Sequence, residues 1–407
     1  MKFSDLRKNF PEEPAKPAAR PEKKYEEKPV ERKPDEIPEA APVEEVKRFK
    51  QEAEPPVIEA AVQVPDDMRF SIKKEEKDAS ARSDLKEMEK EFREKAGVVY
   101  SRALSISKET FFALNRPYVE KFSEIDYAVR ILYGEMKGNP FFPGMISYLT
   151  PSNYLYSHCV NTAIISMGAA IELNMPEEEV LKVGIAAFLH DIGMPDYSEL
   201  SKLERKLNEN ERELVKGHVA SGLDKLEKIM DFERGAREIT AAVISRHHER
   251  VDGSGYPDGL SGDGIDVYSG IVAAADVYEA MTHKRPWREA IEPPKVMKYF
   301  VGSMKELFPS RALKGVFSGL SMYPVGSLVS LSTGEIARVT VLNKKSFSRP
   351  VVKTLLDGEF NPMEEAYIDL MEYPLTDIEA EVEYSALAVK NPRFFSDFEI
   401  SNFWVDW

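Results

Sequence analysis

Apolar positions in this chain of 407 residues fall into three regimes. Up to Pro65 large apolar residues are sparse. Pro, Glu and Lys dominate there, as in Pro29–Asp35 and Glu52–Pro56, and no glycine occurs before Gly97. Such a stretch buries too little surface to offset its chain entropy, which predicts a disordered, solvated tail over residues 1–82. A folded partner-binding module is the other reading of that segment. Leu85, Met88 and Phe92 then open a helical region over residues 83–145, continued by Tyr118, Phe122, Ile125, Val129, Leu132 and Tyr133. Asn139-Pro140 and Pro143-Gly144 break it. From Tyr154 to Phe308 the spacing predicts helices over Leu155–Leu173, Glu177–His190, Gly235–Arg246, Ile271–Thr282 and Pro293–Leu307. A further helix starts at the capping-box pair Asn208 and Glu211 and runs towards Met230.

Near Tyr323-Pro324-Val325-Gly326 the period drops to two. Ser327–Ser332, Ile336–Leu342, Val351–Leu356 and Ala366–Leu370, separated by Thr333-Gly334-Glu335 and Asp357-Gly358, predict a small antiparallel β-module over residues 321–385. Residues 386–407 form an aromatic, acidic end, and Phe394–Trp407 either docks on the body or serves as a contact peptide. The expected fold class is mainly α. A helical bundle domain at 146–320 stands between the tail and the β-module.

Composition narrows the function. Lys plus Arg is 55 against 70 for Asp plus Glu, a formal charge of −15. Phosphates of duplex nucleic acid would be repelled, so no DNA partner is expected. A small anionic ligand stays open where metals or local arginines reverse the field. No run of apolar residues is long enough to span a bilayer, and the charged start Met1–Phe10 lacks the apolar core of a secretory signal. The single cysteine, Cys159, excludes an internal disulfide framework. The expectation is a soluble, cytoplasmic protein with no membrane partner.

All 6 histidines fall between His158 and His283. His190-Asp191 ends a helix whose preceding residues, Ile185–Leu189, are apolar, and a buried imidazole beside a carboxylate is costly unless both are satisfied. A metal ion satisfies them; so does a core His–Asp hydrogen bond. His158 lies on the preceding helix, His218 follows Gly217, His247-His248-Glu249 closes a later helix, and Asp276 sits inside the apolar run Ile271–Val277. Imidazoles and carboxylates spread over successive helices are a usual way for bundles to build a metal centre. Mixed nitrogen and oxygen ligands suit iron or manganese at least as well as zinc. Cys159, among apolar neighbours, reads as buried and inert.

The run His247-His248-Glu249-Arg250-Val251-Asp252-Gly253-Ser254-Gly255-Tyr256-Pro257 resembles the HD-GYP family, a subgroup of HD-domain phosphohydrolases. The resemblance extends from about Tyr154 to Phe308. It takes in His158, His190-Asp191-Ile192-Gly193, Gly217-His218, Asp276 and Arg285-Pro286-Trp287-Arg288. Tyr323–Leu370 resembles the small β-module that often follows this domain. The resemblance implies an HD-type bundle that hydrolyses cyclic di-GMP to pGpG, and sometimes on to GMP, by a metal-bridging hydroxide. It implies two divalent ions, His158, His190 and Asp276 holding one and His218 and His247 the other. Asp191 would bridge them, and His248 would be an added ligand or a close neighbour. Adjacent helical residues point about 100° apart, so His247 and His248 reach one centre only where their helix ends, an ending Val251-Asp252-Gly253 would supply.

In the same reading His190 and Asp191 are catalytic, and Arg285 and Arg288 pin phosphates. Gly255, Tyr256 and Pro257 shape a loop at the mouth, either as substrate contact or as a packed turn, and a diguanylate cyclase domain is a possible partner through it. Met194 stands where relatives usually carry a lysine, and Leu203-Glu204-Arg205 replaces a Lys-Pro-Gly stretch. Tyr154 occupies the place of a glutamate that serves a third metal in some relatives, which favours two ions. A catalytically impaired receptor or scaffold is the alternative that Met194 motivates, and another HD phosphohydrolase acting on a nucleotide or alarmone is a further one.

Overall fold

The computed structural model describes residues 78–114, 122–139, 142–147, 154–285, 287–288, 290–343, 346 and 348–403. Most of the tail expected over 1–82 lies outside the described residues. The first helix, α1 (Asp78–Leu114), starts earlier and runs further than the apolar spacing suggested. With α2 (Phe122–Gly138) it contributes Tyr100, Leu104, Phe111, Ile125, Val129 and Leu132 to one apolar core shared with the bundle that follows.

The middle of that bundle is α3 (Tyr154–Glu172), in which every residue from Ser157 to Met167 is buried, Cys159 among them. A helix enclosed on all sides needs no amphipathic stripe. Next comes α4 (Glu177–Leu189), which begins after Pro176 with Glu177, Glu178 and Glu179 in its first turn, where carboxylates favour the helix dipole. A short α5 (Ser198–Ser201) leads to α6 (Glu209–Lys216) and α7 (His218–Leu226). Glu233 caps α8 (Arg234–Arg246), and Asp266 caps α9 (Val267–Thr282) by accepting from the Ser269 amide at 2.9 Å.

Two helical expectations needed correcting. The capping box at Asn208 and Glu211 is present, but the helix does not continue to Met230: it stops at Lys216, and α7 starts afresh at His218. The chain passes so close to Tyr197 at the junction that a Cβ on Gly217 would lie 2.2 Å from that hydroxyl. The segment expected as one helix to Leu307 ends at Val301 as α10 (Pro293–Val301), closed by Gly302. An unanticipated α11 (Ser310–Leu320) follows. It lies backbone to backbone on α3, since a Cβ on Gly315 would meet the Ala169 carbonyl at 2.9 Å and one on Gly319 the Gly168 carbonyl carbon at 3.2 Å.

Beyond Tyr323 the four expected strands are β1 (Leu328–Leu331), β2 (Ile336–Val341), β3 (Val351–Leu356) and β4 (Tyr367–Asp369). A fifth, β5 (Ile378–Glu381), pairs with β1, giving the antiparallel order β4-β3-β2-β1-β5. Its sequence Ile-Glu-Ala-Glu carries too little apolar alternation to announce a strand. Val329, Leu331, Ala337, Val339 and Val352 fill one face of the sheet. The other face, with Leu328, Ile336 and Leu356, is covered by Leu387 of α12 (Tyr384–Lys390) and by Phe394 and Phe395 of α13 (Pro392–Phe403). The described part of the aromatic end therefore docks on the sheet. Among the described residues no helix is long and apolar enough to cross a membrane.

Candidate metal centre

Helices α3, α4, α7 and α9 and the end of α8 converge on Asp191. Its two carboxylate oxygens face different partners. Oδ2 lies 3.7 Å from Nε2 of both His158 and His190, while Oδ1 lies 3.5 Å from Nε2 of His218 and 3.6 Å from Nε2 of His247. His158 Nε2 is also 3.1 Å from Asp276 Oδ1, and His248 Nε2 is 3.2 Å from His218 Nε2. Two groups of ligand atoms close enough to share an ion result: His158, His190 and Asp191; and Asp191, His218, His247 and His248.

The donor set fits divalent metal. His190 Nε2, His247 Nε2 and Asp191 Oδ1 are buried and have no hydrogen-bond partner, a costly arrangement in a protein interior unless something else occupies their lone pairs. Separations of 3.5–3.7 Å are too long for hydrogen bonds and suit atoms that each sit about 2.1 Å from a common ion. The second ring nitrogens are already committed. Nδ1 of His190 pairs with the Ala187 carbonyl at 2.7 Å, that of His218 with Val215 at 2.7 Å, and that of His247 with Val243 at 3.0 Å. A carbonyl can only accept, so Nδ1 carries the proton and Nε2 presents its lone pair inward.

Electrostatics agree with that tautomer. Burial pushes the His190 imidazole down to about 4, lowers His218 and drives His248 well below its ordinary value. Burial opposes ionisation of Asp191 and Asp276, yet the imidazoles around them, His190 and His247 for the first and His158 for the second, hold both carboxyls below the usual range. His158 is the exception: burial disfavours its cation, but Glu279 and Asp276 outweigh that and raise it well above normal.

Local structure explains how these side chains meet. A Cβ on Gly193 would fall 1.9 Å from the His218 carbonyl and 2.7 Å from the Gly222 amide, so only glycine lets the turn after Asp191 touch the start of α7. Lys225 of α7 holds that turn from the other side, donating to Asp196 at 2.7 Å. Helix α8 ends at Arg246, where the spacing placed its end, so His247 and His248 already lie on a turn ahead of Val251-Asp252-Gly253. Met194 opens the short helical turn Met194–Tyr197 and is partly buried.

The loop Gly255-Tyr256-Pro257 folds back over His248. The Tyr256 ring stacks on the His248 ring with centroids 4.6 Å apart, and Lys216 lies 5.3 Å from its centroid. Gly255 packs against backbone, where a Cβ would be 2.5 Å from the Arg250 amide. Pro257 is exposed. Arg285 lies 3.6 Å from the centroid of the Tyr154 ring, and that ring in turn stacks on His158. Burial and the neighbouring Arg288 push the Arg285 guanidinium down to about 9. Arg288 has another occupation, donating to the Ala280 carbonyl at the end of α9.

Three contributors were given no role from the sequence, although Glu249 stands in the run His247–Pro257. Glu279 is fully buried and accepts from His158 Nδ1; its place three residues after Asp276 on one helix was the available signal. Asn161, three after His158, donates to Glu279 at 3.1 Å. Glu249 accepts from the amides of Asp258, Gly259 and Leu260 at 2.7, 3.1 and 2.9 Å and so ties the loop to the histidine turn.

Residues 153–308 match the family model described as HD domain, and residues 328–388 match the KOW domain associated with HD domain. The chain is 29% identical to the cyclic di-GMP phosphodiesterase PA4108 of Pseudomonas aeruginosa over 56% of this chain and 54% of that protein. It is 38% identical to the cyclic di-GMP phosphodiesterase response regulator RpfG of Xanthomonas campestris over 37% of this chain and 39% of RpfG. Identity to the 3'3'-cGAMP-specific phosphodiesterase 1 of Vibrio cholerae is 32%, over 36% of this chain and 33% of the relative. The matches thus span about half or less of the relatives' own lengths. The residues that match the HD domain model thus contain the histidine and aspartate constellation and the Gly255-Tyr256-Pro257 loop.

Proposed function

We propose that this protein is a metal-dependent phosphodiesterase that opens cyclic di-GMP to pGpG. One observation carries the reading: each oxygen of Asp191 faces its own pair of imidazoles, as a carboxylate shared between two ions requires. In this reading His158, His190 and Asp276 would hold one ion and His218 and His247 the other, with Asp191 shared and His248 an added ligand or a close neighbour. Divalent ions at such a site bring the pKa of water towards neutrality and offset charge developing on phosphate oxygens. Iron or manganese suits the mixed donor set at least as well as zinc.

The remaining chemistry belongs to the chain. Arg285, held against Tyr154 beside the centre, binds a non-bridging phosphate oxygen and orients the diester. Arg288 keeps the end of α9, and hence Asp276 and Glu279, in place. Tyr256 covers His248 and excludes water from that side. The exposed edge at Pro257 is the part open to a partner carrying a diguanylate cyclase domain. The proposed substrate, a nucleotide second messenger, supports a cytoplasmic location.

The test is direct. Protein loaded with Mn(II) or Fe(II) is incubated with cyclic di-GMP and, separately, with 3'3'-cGAMP, and products are separated by chromatography. Cyclic di-GMP should disappear as pGpG accumulates, and the double variant His190→Ala, Asp191→Ala should lose turnover by at least about a thousandfold, more than 4 kcal/mol of barrier. Metal-replete protein that leaves cyclic di-GMP intact overturns the proposal, and faster loss of 3'3'-cGAMP reassigns the substrate.

A further inference from the structure

The inward-facing histidines do not all secure their second nitrogen in the same way. His190, His218 and His247 pair Nδ1 with carbonyls three or four residues earlier in their own segments, so each is set locally. His158 on α3 pairs Nδ1 with the carboxylate of Glu279, which comes from α9. Glu279 is fully buried and uses both oxygens: Oε2 takes His158, with the Arg285 guanidinium 3.8 Å away, and Oε1 accepts from Asn161 Nδ2 at 3.1 Å and lies 3.3 Å from His283 Nδ1. Asn161 is fully buried as well, and its Oδ1 accepts from the Tyr100 hydroxyl at 2.6 Å. Tyr100 sits on α1 with no exposed surface, 61 residues away in sequence from Asn161. A continuous hydrogen-bonded chain therefore joins a helix outside residues 153–308 to an imidazole at the centre.

The chain has a polarity. With the Tyr100 hydroxyl donating to Oδ1, the Asn161 amide must turn its NH2 towards Glu279. The reversed amide would set Oδ1 against a carboxylate oxygen in a dry interior, where such a contact is repulsive. Glu279, an acceptor only, sets which way the amide faces; the Tyr100 hydroxyl anchors the amide there, the amide holds Oε1, and the carboxylate keeps the proton on His158 Nδ1 with Nε2 towards Asp191 and Asp276. A displacement of α1 by about 1 Å stretches the first link beyond hydrogen-bond range.

We propose that Tyr100 is a positioning residue of the centre: through Asn161 and Glu279, the seating of α1 sets how firmly His158 grips its ion. This rests on the metal-centre reading above.

The test uses the full chain, stripped with chelator and titrated with Mn(II) by equilibrium dialysis. Tyr100→Phe keeps the ring and removes only the hydroxyl. It should weaken one of two Mn(II) ions about fivefold, the size of one buried hydrogen bond, and leave the other unchanged. Glu279→Gln should weaken the same ion about 10–100-fold. In the Glu279→Gln background Tyr100→Phe should add nothing, because the chain is already cut. Ser107→Ala, which removes another buried hydroxyl of α1, should leave Mn(II) affinity at the native value. In turnover, Tyr100→Phe should lower activity at limiting Mn(II) and recover at saturating Mn(II).

Unchanged Mn(II) affinity in Tyr100→Phe, even with a lower Tm, overturns the proposal, and so do independent, additive effects of Tyr100→Phe and Glu279→Gln. Native protein that binds no Mn(II) removes instead the metal centre on which the proposal stands.

Discussion

His190, His218 and His248 are kept neutral by burial in the metal-free protein, and this has a consequence for stability. In the unfolded chain each titrates near 6.5, whereas in the folded chain His190 titrates at about 4 and the other two are also lowered. Below 6.5 the unfolded state takes up protons that the native state refuses, so stability falls as pH drops from 6.5 towards 4. His158 has the opposite sign: its raised pKa adds stability that is complete below 6.5 and fades as pH rises through the folded value. It therefore adds no slope in the acid window. Asp191 and Asp276, both lowered, add theirs only near and below 4. Urea unfolding of stripped protein should show a decline of about 1.4 kcal/mol per pH unit for each proton involved. A flat profile between 6.5 and 4 contradicts the neutral, inward-facing imidazoles.

Glu249 does for one loop what the ligands do for the bundle. Its carboxylate is 1% exposed and receives three backbone amides from the far side of the Gly255-Tyr256-Pro257 turn. A carboxylate surrounded by donors suits that cradle; the amide of glutamine turns an NH2 against one of them. Glu249→Gln should cost about 1–3 kcal/mol in denaturant unfolding and hasten protease cleavage within residues 252–262. Native stability together with native cleavage rates would show that the clasp contributes nothing. The sequence made the histidines and aspartates legible because their types are rare and their spacing is helical. Glu249, Glu279 and Asn161 were given no role because their work depends on partners brought from elsewhere in the chain, although Glu249 directly follows His247-His248 and Asn161 and Glu279 lie three residues after His158 and Asp276. Elements behaved similarly. The strands from Leu328 to Asp369 alternate and could be read, whereas α11 contains Gly315 and Gly319, which weaken a helix in isolation and make sense only against α3.

Over the whole molecule, the centre and the sheet draw on separate supports. Every inward-facing ligand lies between His158 and Asp276, on helices whose packing closes through α11. The sheet has its own two small cores, and Tyr323, packed on both the bundle core and one face of the sheet, marks where the two meet. Lys298 of α10 adds an ion pair to Glu381 of β5 at 3.0 Å, with both groups partly in solvent, where such pairs contribute little. Loss of the α13 aromatics should therefore damage the sheet and spare the centre. Phe394→Ala with Phe395→Ala removes part of the cover over Leu328, Ile336 and Leu356, and these partly buried rings should cost about 2–4 kcal/mol together. Calorimetry should show a transition moved to lower temperature, with Mn(II) stoichiometry and affinity at native values well below that transition. A parallel loss of metal would mean that the sheet holds the bundle in its binding form, and the two supports would have to be treated as one.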